Sequence, residues 1–325
     1  MEFVLHMSFF FRAGRRAAIL AIALAGCVGE PGSSGDPTTD RPSPYLGDDP
    51  TPPQASLDRE AIPAAMSQAF EVAREVDVPA IVAFYESLMA QADDECPKVS
   101  ADETAAKKAV FWYGDCTTVA GVKFMGYGSL THHKGDLAEE GGTRDGVDGY
   151  MDAVIVDAGG TSLDIGFYYL ADWVDRKDGK TTYTRVLNGT AHASGSGAPD
   201  NPWLRAKRRG ELTVSYTAHD DGTREAYIDG ALSGLDGEVH AVAFSELYAR
   251  FSATAPSCAD PMGALSFRQD GGGWHDVVFD AIDPRTHEVD KSKCDGCGPS
   301  YFGGQPTGEA CLDVTALGAF QGAPW

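Results

Sequence analysis

Apolar residues recur at helical spacing in one short part of the chain, residues 57–92. Ile62, Met66 and Phe70 lie four positions apart, and Pro63 fits only in a first helical turn. The segment Asp77-Val78-Pro79 interrupts this pattern, and a second apolar series follows it. We therefore predict two amphipathic helices joined by a tight turn, each with an apolar stripe that faces a core. The two apolar sets are Ile62, Met66, Phe70, Ala73 and Val76, and then Ile81, Phe84, Tyr85, Leu88, Met89 and Ala92.

From about residue 108 the apolar period becomes two, which is the period of a strand with one buried face. The alternation is clearest in residues 163–172 and 212–219, and turn sequences such as Asp178-Gly179 separate the runs. We expect roughly eight to eleven consecutive antiparallel strands in a meander, enough to curl or to split into two packed sheets. Glycines within the strands predict kinks or bulges, at Gly126, Gly128, Gly189, Gly230 and Gly234.

The N-terminal segment is organised like a bacterial export signal. Three arginines precede a short apolar run, residues 17–23, about half as long as a membrane-spanning helix requires. The run ends in Leu24-Ala25-Gly26-Cys27. This sequence resembles the lipobox of bacterial lipoproteins, which implies that Cys27 is diacylated and becomes the mature N-terminus. An ordinary secretory signal peptide with an incidental cysteine is the alternative.

Lipidation at Cys27 has consequences for location. Several acyl chains, palmitate among them, anchor a protein stably, whereas one chain binds only marginally. Val28 follows the cysteine; in this family Asp at that position retains a lipoprotein at the inner membrane, so its absence favours the outer membrane. We expect a location in the cell envelope, on either the periplasmic or the surface face of the membrane. A signal peptide that begins at Met7 would fit the usual pattern better than one that begins at Met1, so both methionines are candidate start sites.

These patterns divide the chain into four parts. Residues 28–56 are rich in Pro, Gly, Ser, Thr and Asp without apolar periodicity, which predicts a disordered tether. The predicted fold class is α+β and mostly β: an N-terminal helical pair followed by a large antiparallel β-meander with disulfides. The parts are a lipoprotein signal peptide (1–26), the lipidated cysteine and tether (27–56), a helical segment packed on the next domain (57–95) and an antiparallel β domain (96–325).

The net charge of the chain argues against two classes of binding partner. The 325 residues include 26 Lys and Arg against 48 Asp and Glu, a formal charge of −22. This balance argues against a nucleic-acid binder, because a phosphate backbone requires a basic face. It also argues against a polybasic membrane-surface module. The partners we expect are the membrane, through the lipid, and an envelope protein or glycan, and we predict no cofactor.

Six cysteines follow Cys27, and an even number in an exported chain indicates three disulfides. Cys96 and Cys116 stand apart from the others, so we expect them to pair and to tie the second helix to the first strands. We expect the remaining four to pair as Cys294–Cys297 and Cys258–Cys311. Alternatively, these four bind a metal, or the C-x-x-C pair is redox-active, but the single knuckle and its turn residues disfavour both. The six are Cys96, Cys116, Cys258, Cys294, Cys297 and Cys311.

Residues 154–165 (VIVDAGGTSLDI) carry candidate phosphate chemistry. They resemble the second phosphate loop of the superfamily of actin, hexokinase and the chaperone ATPases. The resemblance implies phosphate contacts from Asp157, Gly159, Gly160 and Thr161. A hairpin with a Gly-Gly turn explains the same residues, and the partner motifs of that superfamily are missing from the sequence.

Histidines and acidic residues give weaker signals. His132 and His133 are adjacent, and neighbours in a strand point to opposite faces, so they cannot easily serve one ion. We place them in a solvated turn at a strand end. Two acidic sets are candidates for calcium but lack EF-hand spacing: Asp145, Asp148 and Asp152, and Asp172, Asp175 and Asp178.

Aromatic residues offer a candidate stacking surface for sugars or peptides, although positions in the core or at the sheet rim are the favoured interpretation. No nucleophile elbow or zinc-protease motif occurs. We therefore expect a structural or ligand-binding, non-catalytic envelope lipoprotein. The alternatives are an exported enzyme of hydrolase or thiol-disulfide type, and a metal-binding domain with four cysteine ligands. The aromatic candidates are Trp173, Trp203, Trp274, Tyr168 and Tyr169.

Overall fold

The computed structural model describes residues 60–74, 76–136, 141–199, 201–204, 209–235, 237–251, 261–269, 272–283, 286 and 288–312. The signal segment, Cys27, the tether and Cys258 lie outside these residues. The helices and the sheet described below belong to one compact unit.

Two helices, α1 (Ile62–Arg74) and α2 (Val78–Met89), confirm the predicted helical pair. At the start of α2, Asp77 accepts a hydrogen bond from the backbone N–H of Ala80 at 3.0 Å. Pro79 occupies the first turn, where the missing N–H would have no helical partner. The apolar stripes of both helices are buried. Among the described residues, no helix has the length and apolarity needed to cross a bilayer.

The strands of the described chain form one antiparallel sheet of thirteen strands, in which hydrogen-bonded neighbours follow one another along the chain. This order confirms the predicted meander, as a single sheet and not a sandwich. The estimate of eight to eleven strands was too low, because the first and last strands are almost fully exposed and carry no apolar alternation. The strands are β1 (Lys98–Glu103), β2 (Lys107–Thr117), β3 (Lys123–Asp136), β4 (Thr143–Asp157), β5 (Thr161–Lys177), β6 (Lys180–Gly195), β7 (Arg209–His219), β8 (Arg224–Ser233), β9 (Ala241–Phe251), β10 (Met262–Arg268), β11 (His275–Asp280), β12 (Cys297–Phe302) and β13 (Gln305–Cys311).

The sheet curls around the helical pair. Thirteen strands would span roughly 58 Å if they lay flat, at about 4.8 Å between neighbours. Two helices, each about 10 Å wide, cover far less than this. Nevertheless Tyr85 of α2 meets Trp112 in β2, and Phe70 of α1 packs on Phe244 in β9, with 5.8 Å between ring centroids. Helix α1 also contacts β10 and β13. We call the side that faces the helices the inner face and the opposite side the outer face.

Two bulges bend the strands beside glycines that the sequence singled out. The pairing of β3 with β4 shifts between Met125 and Tyr127, next to Gly126 with φ of 104°. A Cβ on Gly126 would lie 2.3 Å from the carbonyl oxygen of Ala153, so the close approach requires glycine. A second shift lies beside Gly230, between β8 and β9. Bulges increase the local twist, which helps a long sheet to curl.

Polar contacts on the inner face join the helices to the sheet. The indole N–H of Trp112 donates to the Tyr85 hydroxyl at 2.6 Å, and both side chains are buried. Arg185 of β6 pairs with Asp172 of β5 at 2.7 Å and donates to the carbonyl oxygen of Val76, between the two helices. Burial raises the pKa of Asp172, and the Arg185 charge opposes that rise. The inter-helix turn is therefore tied to the middle of the sheet.

The disulfides confirm one predicted pairing and overturn another. Cys96 is bonded to Cys116, which ties the segment after α2 to β2 as predicted. Cys297 is bonded to Cys311, so the predicted pairs Cys294–Cys297 and Cys258–Cys311 are wrong. The physical reason is strand register, because β12 and β13 place Cys297 directly opposite Cys311. Cys294 is also disulfide-bonded, so these three sulfurs are not thiolate ligands for a metal.

Candidate functional site

Exposed aromatic side chains cluster on the outer face of β2–β4. We call this cluster the tyrosine face; it consists of Phe111, Tyr113, Tyr127 and Tyr150, which are 39, 79, 37 and 38% exposed. Tyr113 lies directly opposite Tyr127. The ring centroids of Tyr127 and Tyr150 are 5.9 Å apart, with 58° between the ring planes. The three tyrosines therefore form a row across three adjacent strands, one ring on each strand.

Alternation along β2 explains why this face is aromatic. Trp112 points to the inner face and is buried against α2. Successive side chains in a strand point to opposite sides, so Phe111 and Tyr113 must both lie on the outer face. Three successive aromatics, Phe-Trp-Tyr, thus place one ring in the core and two in solvent.

A half-buried polar group borders the row on β3–β5. Tyr169 lies directly opposite Tyr150 in the neighbouring strand. Close by, the His133 ring is hydrogen-bonded through Nε2 to a carboxylate oxygen of Asp148. Burial raises the pKa of Tyr169, the Asp148 charge raises it further, and the charge of Arg144 opposes both. Carboxylate oxygens and a phenol hydroxyl therefore lie beside the exposed rings.

A second polar group on the same face is an ion pair stacked on an aromatic ring. Arg144 donates to Asp175 through Nε at 2.7 Å and through Nη2 at 2.9 Å. Its guanidinium carbon lies 4.2 Å from the centroid of the Trp173 ring. Bidentate pairing and stacking each restrict the guanidinium plane, so this group is held in one orientation. Its charge is balanced by the partner carboxylate.

The strands that carry the tyrosine face are acidic, like the whole chain. Residues 98–157, which include β1–β4, contain six basic and ten acidic residues, and the chain carries −22. Lys98 lies opposite Tyr113, Asp152 lies opposite Tyr127, and the charge of Asp148 acts on Tyr169 at the border of the row. The exposed aromatic row is therefore bordered by more negative than positive groups.

The aromatic candidates from the sequence do not come together. Trp203 and Tyr168 are buried in the core. Tyr169 and Trp173 lie on the outer face beside the tyrosine face, and Trp274 lies against the guanidinium of Arg268, 5.3 Å from the ring centroid. The core interpretation is thus confirmed for two of them. Tyr113, Tyr127 and Tyr150 were missed, although the alternation around Trp112 was the signal that could have identified them.

The two adjacent histidines lie inside β3, so their predicted placement in a solvated turn is wrong. Their predicted separation is confirmed. His132 contacts Glu86 of α2 at 2.8 Å on the inner side, whereas His133 contacts Asp148 on the outer face. The acidic calcium candidates are dispersed into ion pairs such as Asp145 with Arg176. Within the described residues, no three potential metal-ligating side chains form a group.

The phosphate-loop resemblance falls on the hairpin between β4 and β5. Asp157 accepts a hydrogen bond from the backbone N–H of Gly159 at 2.9 Å. The N–H of Ala158 donates to the carbonyl oxygen of Thr161 at 3.0 Å, which closes the turn. The aspartate and the glycines are thus used to form the hairpin, as the alternative interpretation predicted.

A serine, a histidine and an aspartate occur together in β10 and β11 but are not arranged as a catalytic triad. Ser266 donates to Asp276 directly across the sheet, and both residues are buried. His275 points to the other side, where its ring stacks on Phe267 at 5.3 Å and lies 4.6 Å from Phe302. A triad requires the histidine between the serine and the carboxylate. Here strand alternation separates them.

This chain has no match among family models, curated proteins or solved structures. The tyrosine face and the groups around it are therefore the features that bear on its function.

Proposed function

We propose that this chain is a lipid-anchored protein of the cell envelope, on the outer membrane, that binds a ligand through the tyrosine face without catalysing a reaction. The supporting observation is the row formed by Tyr113, Tyr127 and Tyr150. Exposed apolar residues that occur singly need no explanation, whereas a contiguous patch with a polar border is typical of a binding surface. Tyrosine suits such a surface because it presents a large ring and a hydroxyl with few rotatable bonds.

The anchor rests on the lipobox resemblance at Cys27. The predicted tether, the 29 residues from 28 to 56, lies between that cysteine and the helices. A flexible chain of this length has an end-to-end distance of roughly 30 Å. This reach would hold the β domain off the lipid surface, where its outer face can meet a ligand.

The chemistry of the candidate groups favours binding over catalysis. Ser266 is bonded to Asp276 and is separated from His275 by the sheet. Cys294 and Cys297 are disulfide-bonded and do not form a C-x-x-C redox pair with each other. On the outer face, the charges of Arg144 and Asp175 neutralise each other. This pair is therefore suited to holding neighbouring side chains in place and not to transferring a proton.

Lipidation is tested by labelling cells that express the full-length chain with radioactive palmitate. The wild type should incorporate label and fractionate with the outer membrane, whereas Cys27→Ala should do neither, because the acylated sulfur is lost. Ser34→Ala, a small change within the tether, is the matched control and should behave like the wild type. Label that persists in Cys27→Ala would contradict the anchor.

Binding through the tyrosine face is tested with the full-length protein in mild detergent and isolated cell envelopes. The double variant Tyr113→Ala/Tyr127→Ala should be retained at least tenfold less than the wild type. Tyr301→Ala, which removes a half-buried tyrosine from distant β12, should leave retention unchanged. Equal retention of all three proteins would refute a role for this face.

A further inference from the structure

The tyrosine face also indicates a class of ligand. We infer that it binds a neutral polysaccharide whose chain runs across β2, β3 and β4, so that successive sugar rings stack on Tyr113, Tyr127 and Tyr150. This inference rests on the proposed function and adds the chemistry of the ligand.

Spacing is the first argument. Neighbouring strands lie about 4.8 Å apart, and the rings of Tyr127 and Tyr150 are 5.9 Å apart. Sugar rings follow one another along a polysaccharide at a similar distance. Each sugar ring has a flat C–H face, which packs on the π face of an aromatic side chain. The rings of Tyr127 and Tyr150, which are tilted by 58° to each other, therefore match two successive sugars of a twisted polymer chain, and Tyr113, opposite Tyr127 on the next strand, extends the row.

Hydrogen-bonding groups between the rings are the second argument. Ser129 lies directly opposite Phe111 on one side and Tyr150 on the other, so a hydroxyl is placed within the row. Asp152, opposite Tyr127, adds an exposed carboxylate that accepts hydrogen bonds from ligand hydroxyls. Sugar hydroxyls both donate and accept, and this mixture of partners is available along the row.

Charge is the third argument and disfavours an anionic ligand. The net charge of −22 repels a polyanion at a distance. Residues 98–157, which carry the row, contain six basic and ten acidic residues, so the row itself offers a polyanion no net attraction. An uncharged polymer meets no such repulsion.

Area argues against a folded protein as the ligand. With about 200 Å² for each aromatic side chain, the exposed fractions of the four rings amount to about 400 Å². A standard protein interface buries about 800 Å² on each partner. The other large exposed apolar residues in the described chain are Val99, Val119 and Val289, with no leucine, isoleucine or methionine among them. The patch therefore fits a short polymer segment better than a protein core.

The test measures binding of the full-length protein in detergent to five insoluble neutral polysaccharides: β-1,4-glucan, β-1,3-glucan, α-glucan, mannan and galactan. At least one should be bound, and its soluble oligosaccharides should bind more tightly as their length rises from two to four sugars and then level off. Tyr127→Ala, which removes the central ring, should weaken binding at least tenfold. Tyr127→Phe keeps the ring and should bind within about threefold of the wild type.

Controls separate this inference from the proposed function. Tyr301→Ala should bind like the wild type, and near-ultraviolet circular dichroism should show that Tyr127→Ala is folded. If Tyr127→Ala loses retention on envelopes but no neutral polysaccharide binds the wild type, the face binds a ligand and the inferred class is wrong. Preferred binding to polygalacturonate or to purified envelope proteins would also overturn it. If the variant loses neither kind of binding, both proposals fail.

Discussion

Removal of one oxygen atom from each of two buried tyrosines should change the stability of this protein in opposite directions. The hydroxyl of Tyr85 accepts a hydrogen bond from the Trp112 indole at 2.6 Å. The hydroxyl of Tyr168 is buried without a hydrogen-bond partner in the part of the chain that the structure describes. The two side chains are 3 and 1% exposed, so their burial is alike and their hydrogen bonding differs.

The expected magnitudes follow from that difference. Tyr85→Phe leaves the Trp112 N–H buried without its acceptor, which costs about 2 kcal/mol, or roughly a thirtyfold change in the folding equilibrium. Tyr168→Phe removes a buried hydroxyl that has no partner, so the free energy of unfolding should rise by about 1 kcal/mol.

The pH dependence of stability provides an independent check on the role of the Tyr85 hydroxyl. Burial raises the pKa of Tyr85 to about 12, above its ordinary value of 10.0. The contribution of the protonated hydroxyl to stability is therefore complete below pH 10 and is lost as the pH rises through 12. Phenylalanine cannot ionise, so the difference between wild type and Tyr85→Phe should shrink above pH 10.

The assay is urea unfolding of the full-length protein in mild detergent, followed by tryptophan fluorescence. The transition midpoint should fall for Tyr85→Phe and rise for Tyr168→Phe, with the slope unchanged. Exposed Tyr113→Phe is the matched control and should stay within about 0.5 kcal/mol. In a Trp112→Phe background, Tyr85→Phe should cost less than half as much, because no indole donor is left unpaired. An equal cost in both backgrounds, or destabilisation by Tyr168→Phe, would refute the reasoning.

The remaining predictions concern packing, acid stability and disulfide pairing. Gly128→Ala should lower the free energy of unfolding by about 1–3 kcal/mol, because its Cβ would lie 2.4 Å from a buried tyrosine hydroxyl of α2. Gly160→Ala, with no atom within 4 Å of its Cβ, should be nearly neutral in the same unfolding assay. His275 is 3% exposed, and burial lowers its pKa from 6.5 to about 4, so the folded state excludes the proton. Its contribution to stability is complete above pH 6.5 and should fall by about 3 kcal/mol as the pH drops to 4; unfolding of His275→Phe across this range should show a correspondingly smaller loss. Mass mapping of the unreduced protein should find one peptide pair joined through Cys297 and Cys311, and reduction of three disulfides should add about 6 Da.

Clear outcomes would contradict these three predictions. Equal stabilities for the two glycine variants would mean that the space around Gly128 is not limiting. A wild type and a His275→Phe variant with parallel acid profiles would show that other groups control acid unfolding. Recovery of a Cys294–Cys297 peptide would overturn the β12–β13 register.

The curled sheet explains why a binding face is available. Its inner face is occupied by α1 and α2, which supply the apolar surface that a second sheet provides in a sandwich. On β2–β4 the outer face is therefore not needed to form the core and can carry exposed rings. The contact of Trp112 with Tyr85 holds β2 against α2, so the residues on either side of Trp112 are presented from a fixed strand.

Properties that depend on a few neighbouring residues could be predicted from the sequence. The spacing of Ile62, Met66 and Phe70 predicted α1, and Asp77 with Pro79 marked the start of α2. Alternation predicted the meander, because strand period and turn chemistry act over only two to ten residues. The pairing of Cys96 with Cys116 was predicted because the other four cysteines that follow Cys27 lie at least 142 positions further along the chain.

Only the tertiary structure decided the properties that depend on strand register. Tyr113, Tyr127 and Tyr150 are spread over 38 positions of the chain, and they form a row because β2, β3 and β4 pair in one register. Cys297 is bonded to Cys311 and not to nearby Cys294 for the same reason. A shift of one residue would turn every side chain of a strand to the other face. The register is selected by the packing of the whole inner face on the helices. This packing consists of many contacts between residues far apart in the chain, so no short stretch of sequence reveals it.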